Sequence, residues 1–191
     1  MYISAKFKVL SKTEEQYDGI IESCRQTFQV KTKDYGTAWR ILRPSSLTDQ
    51  IYIKASRLRS IQEKGTMLVD ENPEDAFQAI VNYSIMAMIQ LDNPVADDAY
   101  EMPAEDAFEA YNRYAKETKD LMLNKNHDYG EAWRDMRVSS MTDLILMKLL
   151  RIKQIEENEG KTIASEGMKS NYQDILNYAV FSLILLSEGK N

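Results

Sequence analysis

Four cationic side chains recur in two parts of the chain, at a spacing that suits phosphate binding. Arg40 and Arg43 are three residues apart, and so are Lys54 and Arg57. Residues three apart on a helix lie next to each other on one face. Arginine offers a phosphate a planar fork of donors, and lysine offers a point charge. The second set consists of Arg134, Arg137, Lys148 and Arg151. Both sets are candidate phosphate ligands, and pairing with acids of the same chain is the alternative interpretation.

Carboxylates gather where the third helix of each part is expected to begin. Glu71 and Asp75 belong to the first part, and Glu166 and Asp174 belong to the second. Mg²⁺ takes few protein carboxylates when it also binds the phosphate oxygens of a substrate. These four acids are therefore candidate Mg²⁺ ligands, and Asp174 and Glu166 are also the candidate catalytic residues. Acids are favoured at helix N-termini in any case, so a purely structural role is the alternative.

The motif D-Y-G-x-A-W-R occurs twice and supplies aromatic rings. Tyr35 and Trp39 belong to its first copy, and Tyr129 and Trp133 to its second. The glycine favours a positive φ, so each motif predicts the end of a helix and a tight turn, with the two rings on one short helical turn. These four rings are candidate stacking surfaces for a nucleobase. Burial as wedges that lock the turn is the alternative interpretation.

A tandem duplication supplies the elements that position these residues. Residues 31–63 align with residues 125–157 without a gap, and N-Y-S-I-M-A-M-I-Q-L from Asn82 matches N-Y-A-V-F-S-L-I-L-L from Asn177 after one inserted residue. Two long copies indicate a duplicated domain, because a solenoid has shorter and more numerous repeats. The repeated asparagine within an apolar stretch predicts a buried hydrogen bond, either across helices or to a ligand.

Apolar residues at helical spacing predict three amphipathic helices in each copy. Candidate caps are Ser11–Glu14 or Thr13–Gln16 for the first helix, Ser46–Asp49 and Ser140–Asp143 for the second helices, and Asn72 with Pro73 for the third helix of the first copy. Each pairs a capping side chain with a residue that suits the first helical turn. The sequence therefore predicts where most of the helices begin.

These helices predict an all-α, six-helix bundle built from two tandem three-helix repeats. The expected segments are an arm over residues 1–12, a first repeat over 13–93, a connector over 94–103 and a second repeat over 104–191. Three amphipathic helices make a thin core, so two copies packed face to face would bury both apolar faces, as a homodimer does across a two-fold axis. We therefore expect one compact domain with pseudo-two-fold symmetry. Further pairing of two chains as a homodimer is left open.

Composition and charge limit the partners. The net charge is −6, and no apolar run is long enough to predict a membrane-spanning helix. The single Cys24 excludes an internal disulfide framework, so a cytoplasmic location is expected. Residues 31–64 are basic, whereas residues 65–112 contain no Lys or Arg. An acidic protein suits duplex nucleic acid poorly, whereas a local cationic cluster is enough for a small phosphorylated molecule.

The string K-N-H-D-Y-G-x-A-W, with K-x-x-R-I and D-I-L-N-Y-A downstream, resembles the nucleotide-modification-associated domain one family of phages and Bacteroidetes, a domain of unknown function. The resemblance covers residues 20–93 and 110–188. The family pattern implies three acids in the third helix, spaced four residues apart, before x-x-Asn-Tyr. Here the first copy has Glu71, Asp75 and Ala79, and the second has Glu166, Ser170 and Asp174. Either the two halves form one composite site, or one or both have lost activity.

More distantly, the chain is similar to the all-α nucleotide pyrophosphohydrolases. Those are helical bundles that hold Mg²⁺ with Glu and Asp and split nucleoside triphosphates. The resemblances imply a nucleotide-directed protein, with Mg²⁺-dependent pyrophosphohydrolysis of ordinary or modified nucleoside triphosphates as the specific hypothesis. A non-catalytic nucleotide-binding or protein-assembly module is the alternative. A nucleic-acid-binding accessory of DNA modification, using the basic residues 31–64, is a third hypothesis.

Overall fold

Six α-helices make up most of the computed structural model, which describes residues 11–67, 72–158 and 167–190. The helices are α1 (Lys12–Tyr35), α2 (Pro44–Lys64), α3 (Pro73–Leu91), α4 (Ala104–Tyr129), α5 (Val138–Glu157) and α6 (Met168–Ser187). Short 3₁₀ helices at Ala38–Ile41 and Ala132–Asp135 precede α2 and α5. No strand occurs in these three ranges, so the predicted all-α class is confirmed. Nearly all of the predicted arm, residues 1–10, lies outside them.

The bundle has an inner layer of four helices and two flanking helices. Helices α2, α3, α5 and α6 pack against one another, while α1 and α4 pack on α3 and α6 and touch each other. Each pairing within one half has a counterpart in the other, as α2 with α3 and α5 with α6. One apolar core contains side chains from both halves, which is consistent with the expected pseudo-two-fold relation. None of the helices in the described ranges combines the length and the apolar character of a membrane-spanning segment.

Two buried hydrogen bonds join the halves in the same way. The hydroxyl of Tyr17 donates to Asn177 Oδ1 at 2.9 Å, and that of Tyr111 donates to Asn82 Oδ1 at 2.8 Å. Each bond links the first helix of one half to the third helix of the other. Burial raises the pKa of both tyrosines, so their hydroxyls remain protonated donors. The buried hydrogen bond predicted for the repeated asparagine is confirmed, and it runs across helices.

The predicted cap is right for α1 and wrong for α2, and α3 begins at the predicted place without a side-chain cap bond. Ser11 Oγ accepts from the amide of Glu14, whose carboxylate accepts from the amide of Ser11. Asn72 and Pro73 begin α3 as expected. Helix α2 starts at Pro44, before the predicted Ser46–Asp49 pair, because proline has no N–H to satisfy and its fixed φ suits the first helical position.

Helix α5 also lacks its predicted cap. It begins at Val138 after Arg137, and no side-chain cap bond forms at that end. Ser140 and Asp143 therefore lie inside the helix. The predicted Ser140–Asp143 cap is wrong, although the helix itself is where the apolar spacing placed it.

The glycines of the repeated motif end the first helix of each half as predicted. Gly36 has φ = 61° and Gly130 has φ = 63°. A Cβ added at Gly36 would lie 2.9 Å from the carbonyl oxygen of Ala99, so the connector also excludes a side chain there. The rest of the motif differs from the prediction: Tyr35 is the last residue of α1, and Trp39 lies in the following 3₁₀ helix. The two rings therefore do not share one helical turn.

Candidate functional site

A pocket of about 390 Å³ lies between α1, α2 and α3 of the N-terminal half. Its charged groups are Lys31 from α1, Lys54 from α2 and Asp75 from α3. The rest of the lining consists of the polar Thr27, Gln78 and Asn82 and the less polar Phe28, Ala79, Tyr83 and Met86. We call this site the N-terminal pocket. It combines two cations, two amides and two aromatic rings in one recess, which suits an anionic ligand with a flat, polar body.

Helical spacing brings the lining residues together. Phe28 and Lys31 are three residues apart and therefore neighbours on α1, and Asp75, Ala79 and Asn82 follow one face of α3. Packing holds the floor of the pocket in place. The ring of Phe28 is 1% exposed and lies 4.8 Å from the ring of Tyr111, measured between centroids. The apolar side of the pocket is thus part of the core.

The corresponding place in the C-terminal half holds an ion-pair cluster. By the alignment of the two copies, Lys125 and Lys148 correspond to Lys31 and Lys54. Lys125 Nζ donates to Asp174 Oδ1 at 2.7 Å, and Lys148 Nζ donates to Asp174 Oδ2 at 2.6 Å. Asp174 is 5% exposed and Lys148 is 9% exposed. We call these three residues the C-terminal ion-pair cluster.

Two residue exchanges in the third helices accompany this difference between the halves, because Asp75 corresponds to Ser170 and Ala79 corresponds to Asp174. Ala79 and Asp174 occupy equivalent positions in the third helices, three residues before the repeated Asn82 and Asn177. The methyl group of Ala79 lines the N-terminal pocket and leaves its lysines beside a cavity. In the C-terminal half, the Asp174 carboxylate lies between the two equivalent lysines. The same pair of cations therefore lines a pocket in one half and binds a carboxylate in the other.

The four predicted acidic metal ligands fall in different surroundings. Both oxygens of Asp174 accept from ammonium groups, and Asp75 lines the N-terminal pocket. Glu71 and Glu166 lie outside the described residues. Within residues 11–67, 72–158 and 167–190, no group of three or more His, Cys, Asp or Glu side chains is arranged to hold a metal ion.

Arg40, predicted to bind phosphate, is buried in the turn before α2. Its guanidinium donates to Gln90 Oε1 and to the carbonyl oxygen of Pro94. Burial lowers the pKa of Arg40, and the charge of Glu101 opposes that shift. Gln90 in turn donates to the carbonyl oxygens of Arg40 and Leu42. These bonds fasten the 3₁₀ helix to the end of α3 and to the connector, away from the N-terminal pocket.

Arg134 forms a similar set of hydrogen bonds where the start of α1 meets the end of α6. Its guanidinium donates to Thr13 Oγ1 at 2.6 Å, Gln16 Oε1 at 2.8 Å and Glu188 Oε1 at 3.2 Å, and it also pairs with Glu131. It thereby joins the start of α1 to the residues that follow α6. In the structure, both repeated arginines of the D-Y-G-x-A-W-R motif are tied to protein groups.

The other predicted phosphate ligands lie at varied positions. Arg43 and Arg137 are exposed residues just before α2 and α5, and Arg57 and Arg151 lie one turn after the lysines of α2 and α5. Lys148 belongs to the C-terminal ion-pair cluster described above. Of the eight predicted cations, Lys54 lines the N-terminal pocket.

The two tryptophans serve packing in the structure. Trp133 stacks on Phe181, with ring centroids 4.2 Å apart and planes 5° from parallel, and Trp39 packs against Phe28 with centroids 6.1 Å apart. Each indole N–H is buried, and neither finds an acceptor within the part of the chain that the structure describes. Because both rings already contact core side chains, the proposed site does not include them.

The two tyrosines of the motif are exposed, and the pocket contains rings that the sequence did not single out. Tyr35 is 67% exposed and Tyr129 is 78% exposed, both at the ends of their helices. Phe28 and Tyr83 instead line the N-terminal pocket, together with Lys31. The signal for two of these was present in the sequence, because Lys31 and Tyr83 have identical counterparts in the second copy.

The comparison with known families matches both halves. The model of nucleotide modification associated domain 1 matches residues 31–91 and again residues 125–186. The chain belongs to this family. The double match is consistent with the tandem duplication, and it covers the lysines of both halves as well as Ala79 and Asp174. No curated protein and no solved structure matches the chain. Membership associates the chain with nucleotide modification and assigns no reaction to it.

Proposed function

We propose that this protein binds a phosphorylated nucleotide in the N-terminal pocket. The observation that carries the proposal is that Lys31 and Lys54 line the same recess as Phe28 and Tyr83. Two ammonium groups suit phosphate oxygens, and the half-buried ring of Tyr83 suits a nucleobase, while Phe28 forms the apolar floor against Tyr111. Membership of a nucleotide-modification-associated family supports this choice of ligand.

The lining suggests a role for each group. Lys31 and Lys54 bind phosphate oxygens, and the amides of Gln78 and Asn82 bind polar atoms of the sugar or the base. Asn82 is well placed for this because Tyr111 and the carbonyl oxygen of Cys24 already fix its amide, at 2.8 and 3.1 Å. The volume of about 390 Å³ is within the usual range for small-molecule sites, about 300–1,000 Å³.

Magnesium enters this proposal through Asp75. Its carboxylate is in the same lining as both lysines, and Mg²⁺ commonly combines one or two carboxylates with substrate phosphates. Bound there, the ion would neutralise phosphate charge and polarise a phosphorus–oxygen bond, as pyrophosphohydrolysis requires. Hydrolysis of a nucleoside triphosphate is therefore the specific reaction proposed for this pocket.

A thermal-shift panel tests nucleotide binding. The panel contains nucleoside mono-, di- and triphosphates with ordinary and modified bases, and the bare nucleosides as controls. A ligand that binds the native state raises the Tm, so phosphorylated members should raise it and bare nucleosides should not. Lys31→Ala should weaken binding about tenfold or more, the equivalent of about 1.5–3 kcal/mol for a charged hydrogen bond.

Lys33→Ala is the matched control for Lys31→Ala. Lys33 is exposed on the same helix and does not belong to the pocket lining. It should leave binding unchanged although it removes the same charge. If no nucleotide raises the Tm, or if both variants weaken binding equally, the proposed site is wrong.

Pyrophosphate release tests the catalytic part of the proposal separately. With Mg²⁺ and a triphosphate that binds, the wild type should release pyrophosphate, and Asp75→Asn should lose that release while retaining metal-free nucleotide binding. A protein that binds nucleotides without any release is the non-catalytic module, the second candidate function. In that case the Asp75 carboxylate is part of the lining and holds no catalytic metal.

A further inference from the structure

We infer that two copies of this chain associate through the outer surface of α2 and α5 and form a dimer with two-fold symmetry. The inference goes beyond the proposed function and concerns a different part of the molecule. We call this surface the α2–α5 face. It consists of three exposed apolar side chains and four charged side chains around them: Tyr52, Ile53 and Leu150, with Asp49, Arg59, Asp143 and Lys153. None of these seven residues lines the N-terminal pocket.

The α2–α5 face is on the side of the bundle that the flanking helices leave open. The main contacts of α2 are with α3 and α5, and those of α5 are with α2 and α6. Helices α1 and α4 pack on α3 and α6, so they cover the opposite side of the inner layer. Among the helices that the structure describes, a pair thus covers one side of the inner layer and no pair covers the other.

Apolar side chains lie in the centre of this open side. Ile53 is 57% exposed, Leu150 is 56% exposed and Tyr52 is 39% exposed. Tyr52, Leu146 and Leu150 also line a groove of about 230 Å³ between the two helices. Single apolar residues are common at protein surfaces, whereas a group that shares a groove is typical of a binding surface. Lys153 Nζ lies 4.6 Å from the centroid of the Tyr52 ring, so this centre continues into the charged rim.

Four charges surround the apolar centre in an alternating order. Lys153 Nζ on α5 lies 2.7 Å from Asp49 Oδ1 on α2, and Arg59 Nη1 on α2 lies 3.8 Å from Asp143 Oδ1 on α5. Asp49 and Arg59 are ten residues apart, about 15 Å along α2, and Asp143 and Lys153 have the same spacing on α5. Glu63, one turn further along α2, also pairs with Arg59, at 3.1 Å. The two ion pairs between the helices therefore mark four corners, and each corner has the opposite sign to its neighbours.

This alternating order makes the α2–α5 face complementary to itself. A second copy can be turned over about an axis that lies in the face, either along the helices or across them. In both cases its acids lie over the bases of the first copy, and its bases lie over the acids. A diagonal axis would place acids over acids, so the helices of the two copies should lie side by side and not cross at right angles. Because complementary charges select the partner and its orientation, the occupant that fits this face is another copy of the chain.

The α2–α5 face is large enough for a specific dimer. Its helices have 21 and 20 residues and are about 30 Å long, and two helices side by side are about 20 Å wide. The flat area is therefore about 600 Å² for each chain, at the lower end of the range for specific interfaces, about 600–1,000 Å² for each partner. Tyr52 and Arg59 are of the residue types that most often supply binding energy. A two-fold pair uses the same face of both copies, so the assembly closes at two chains.

Sedimentation velocity of the full chain over a range of protein concentrations tests the inference. At the higher concentrations the wild type should sediment with twice the mass of one chain. Leu150→Glu places a charge in the apolar centre, so it should be monomeric at concentrations where the wild type is dimeric. A wild type that is monomeric at every concentration would overturn the inference, because the face would then be bare or covered by something other than a second copy.

Val30→Glu is the matched control for Leu150→Glu. Val30 is 58% exposed on α1, so this substitution places the same charge at an equally exposed apolar residue outside the α2–α5 face. Val30→Glu should remain a dimer. If both variants dissociate equally, or if Leu150→Glu dimerises as well as the wild type, the association does not use this face and the inference is wrong.

Charge reversal tests the choice of a second copy as the partner. Asp49→Lys with Asp143→Lys makes all four corners basic, and Arg59→Glu with Lys153→Glu makes all four acidic. Each double variant should fold, because exposed ion pairs contribute little to stability, and each should be monomeric at low salt, because like charges then meet between the copies. A mixture of the two variants should form a heterodimer. A mixture that stays monomeric, or double variants that dimerise as well as the wild type, would contradict the inference.

Discussion

The N-terminal pocket and the C-terminal ion-pair cluster have equivalent lysine pairs and differ in what these lysines contact. Both halves have the lysine pair and the Asn-Tyr pair of the third helix, but the position of Asp174 in the second copy is occupied by Ala79 in the first. In one half the lysines line a cavity, and in the other they neutralise a buried carboxylate. The acid of the third helix thus lies one turn apart in the two halves, at Asp75 in the first and at Asp174 in the second, whose equivalent positions are Ser170 and Ala79.

Tryptophan removal should produce the largest difference between the halves. Trp133→Ala should lower the free energy of unfolding by about 3–5 kcal/mol, because this ring is 6% exposed and stacked on Phe181. Trp39→Ala should cost less, because Trp39 is half-buried and only tilted against Phe28. Urea unfolding of both variants measures the difference. A larger loss for Trp39→Ala would contradict the packing described for the two halves.

The reciprocal tyrosine bonds should contribute equally, in contrast to the tryptophans. Tyr17→Phe and Tyr111→Phe each leave a buried asparagine oxygen without its donor, so each should lower stability by about 1–3 kcal/mol. The two losses should agree, because each bond joins equivalent helices at nearly the same length. Chemical unfolding of both variants checks this prediction. Clearly unequal losses of stability would show that the two bonds between the halves are not equivalent.

The lysines of α1 and α4 should separate binding from stability. Lys125→Met removes a half-exposed partner of Asp174 and should cost about 1 kcal/mol of stability with little effect on nucleotide binding. Lys31→Met should leave stability nearly unchanged and weaken nucleotide binding. Unfolding curves and thermal shifts on the same samples measure both properties. The division of roles fails if the two variants behave alike.

Acid should weaken the contacts of Arg134 in the C-terminal half more than the contacts of Arg40 in the N-terminal half. Donors from Gln16 and Lys12 lower the pKa of Glu188 to about 2, from an ordinary value of 4.5. Its contribution to stability is therefore present above pH 4.5 and is lost as the pH falls towards 2. Glu188→Gln should be slightly less stable than the wild type at pH 7, and the difference should vanish in acid.

The contacts of Arg40 in the N-terminal half should not weaken in acid, because Arg40 donates to the neutral Gln90 and to a carbonyl oxygen. Gln90→Glu serves as the comparison variant, since it introduces a titrating carboxylate beside Arg40. Unfolding measured from pH 7 to pH 2 gives both profiles. A Glu188→Gln difference that persists unchanged at pH 2 would contradict the assigned pKa.

The fold could be predicted from the sequence because its signals are local and occur twice. Apolar spacing gave the six helices, Gly36 and Gly130 gave the ends of α1 and α4, and Asn82 and Asn177 indicated a buried bond. The predicted caps of α2 and α5 are wrong because a Ser-x-x-Asp pattern resembles a cap wherever it occurs. Only the surrounding turn decides whether the chain has already entered the helix.

The candidate site was only partly predictable, because identity between the copies marks structural and ligand-binding residues alike. Arg40 and Arg134 are repeated as faithfully as Lys54, yet they lie in the turns before α2 and α5 and not in the pocket lining. Ala79 was visible as a departure from the family pattern. The effect of Ala79 on the pocket depends on Lys31 and Lys54, which reach the same recess from two other helices. The spacing of residues along the chain does not predict that these helices meet there.

The most direct test of this division is an NMR titration of the wild type that resolves the lysine side chains. Inorganic phosphate, and then a nucleoside triphosphate, is added while the signals of all lysines are followed. The signals of Lys31 and Lys54 should shift with saturation, while those of Lys125 and Lys148 remain in place. Shifts at Lys125 and Lys148 without shifts at Lys31 and Lys54 would contradict the central claim.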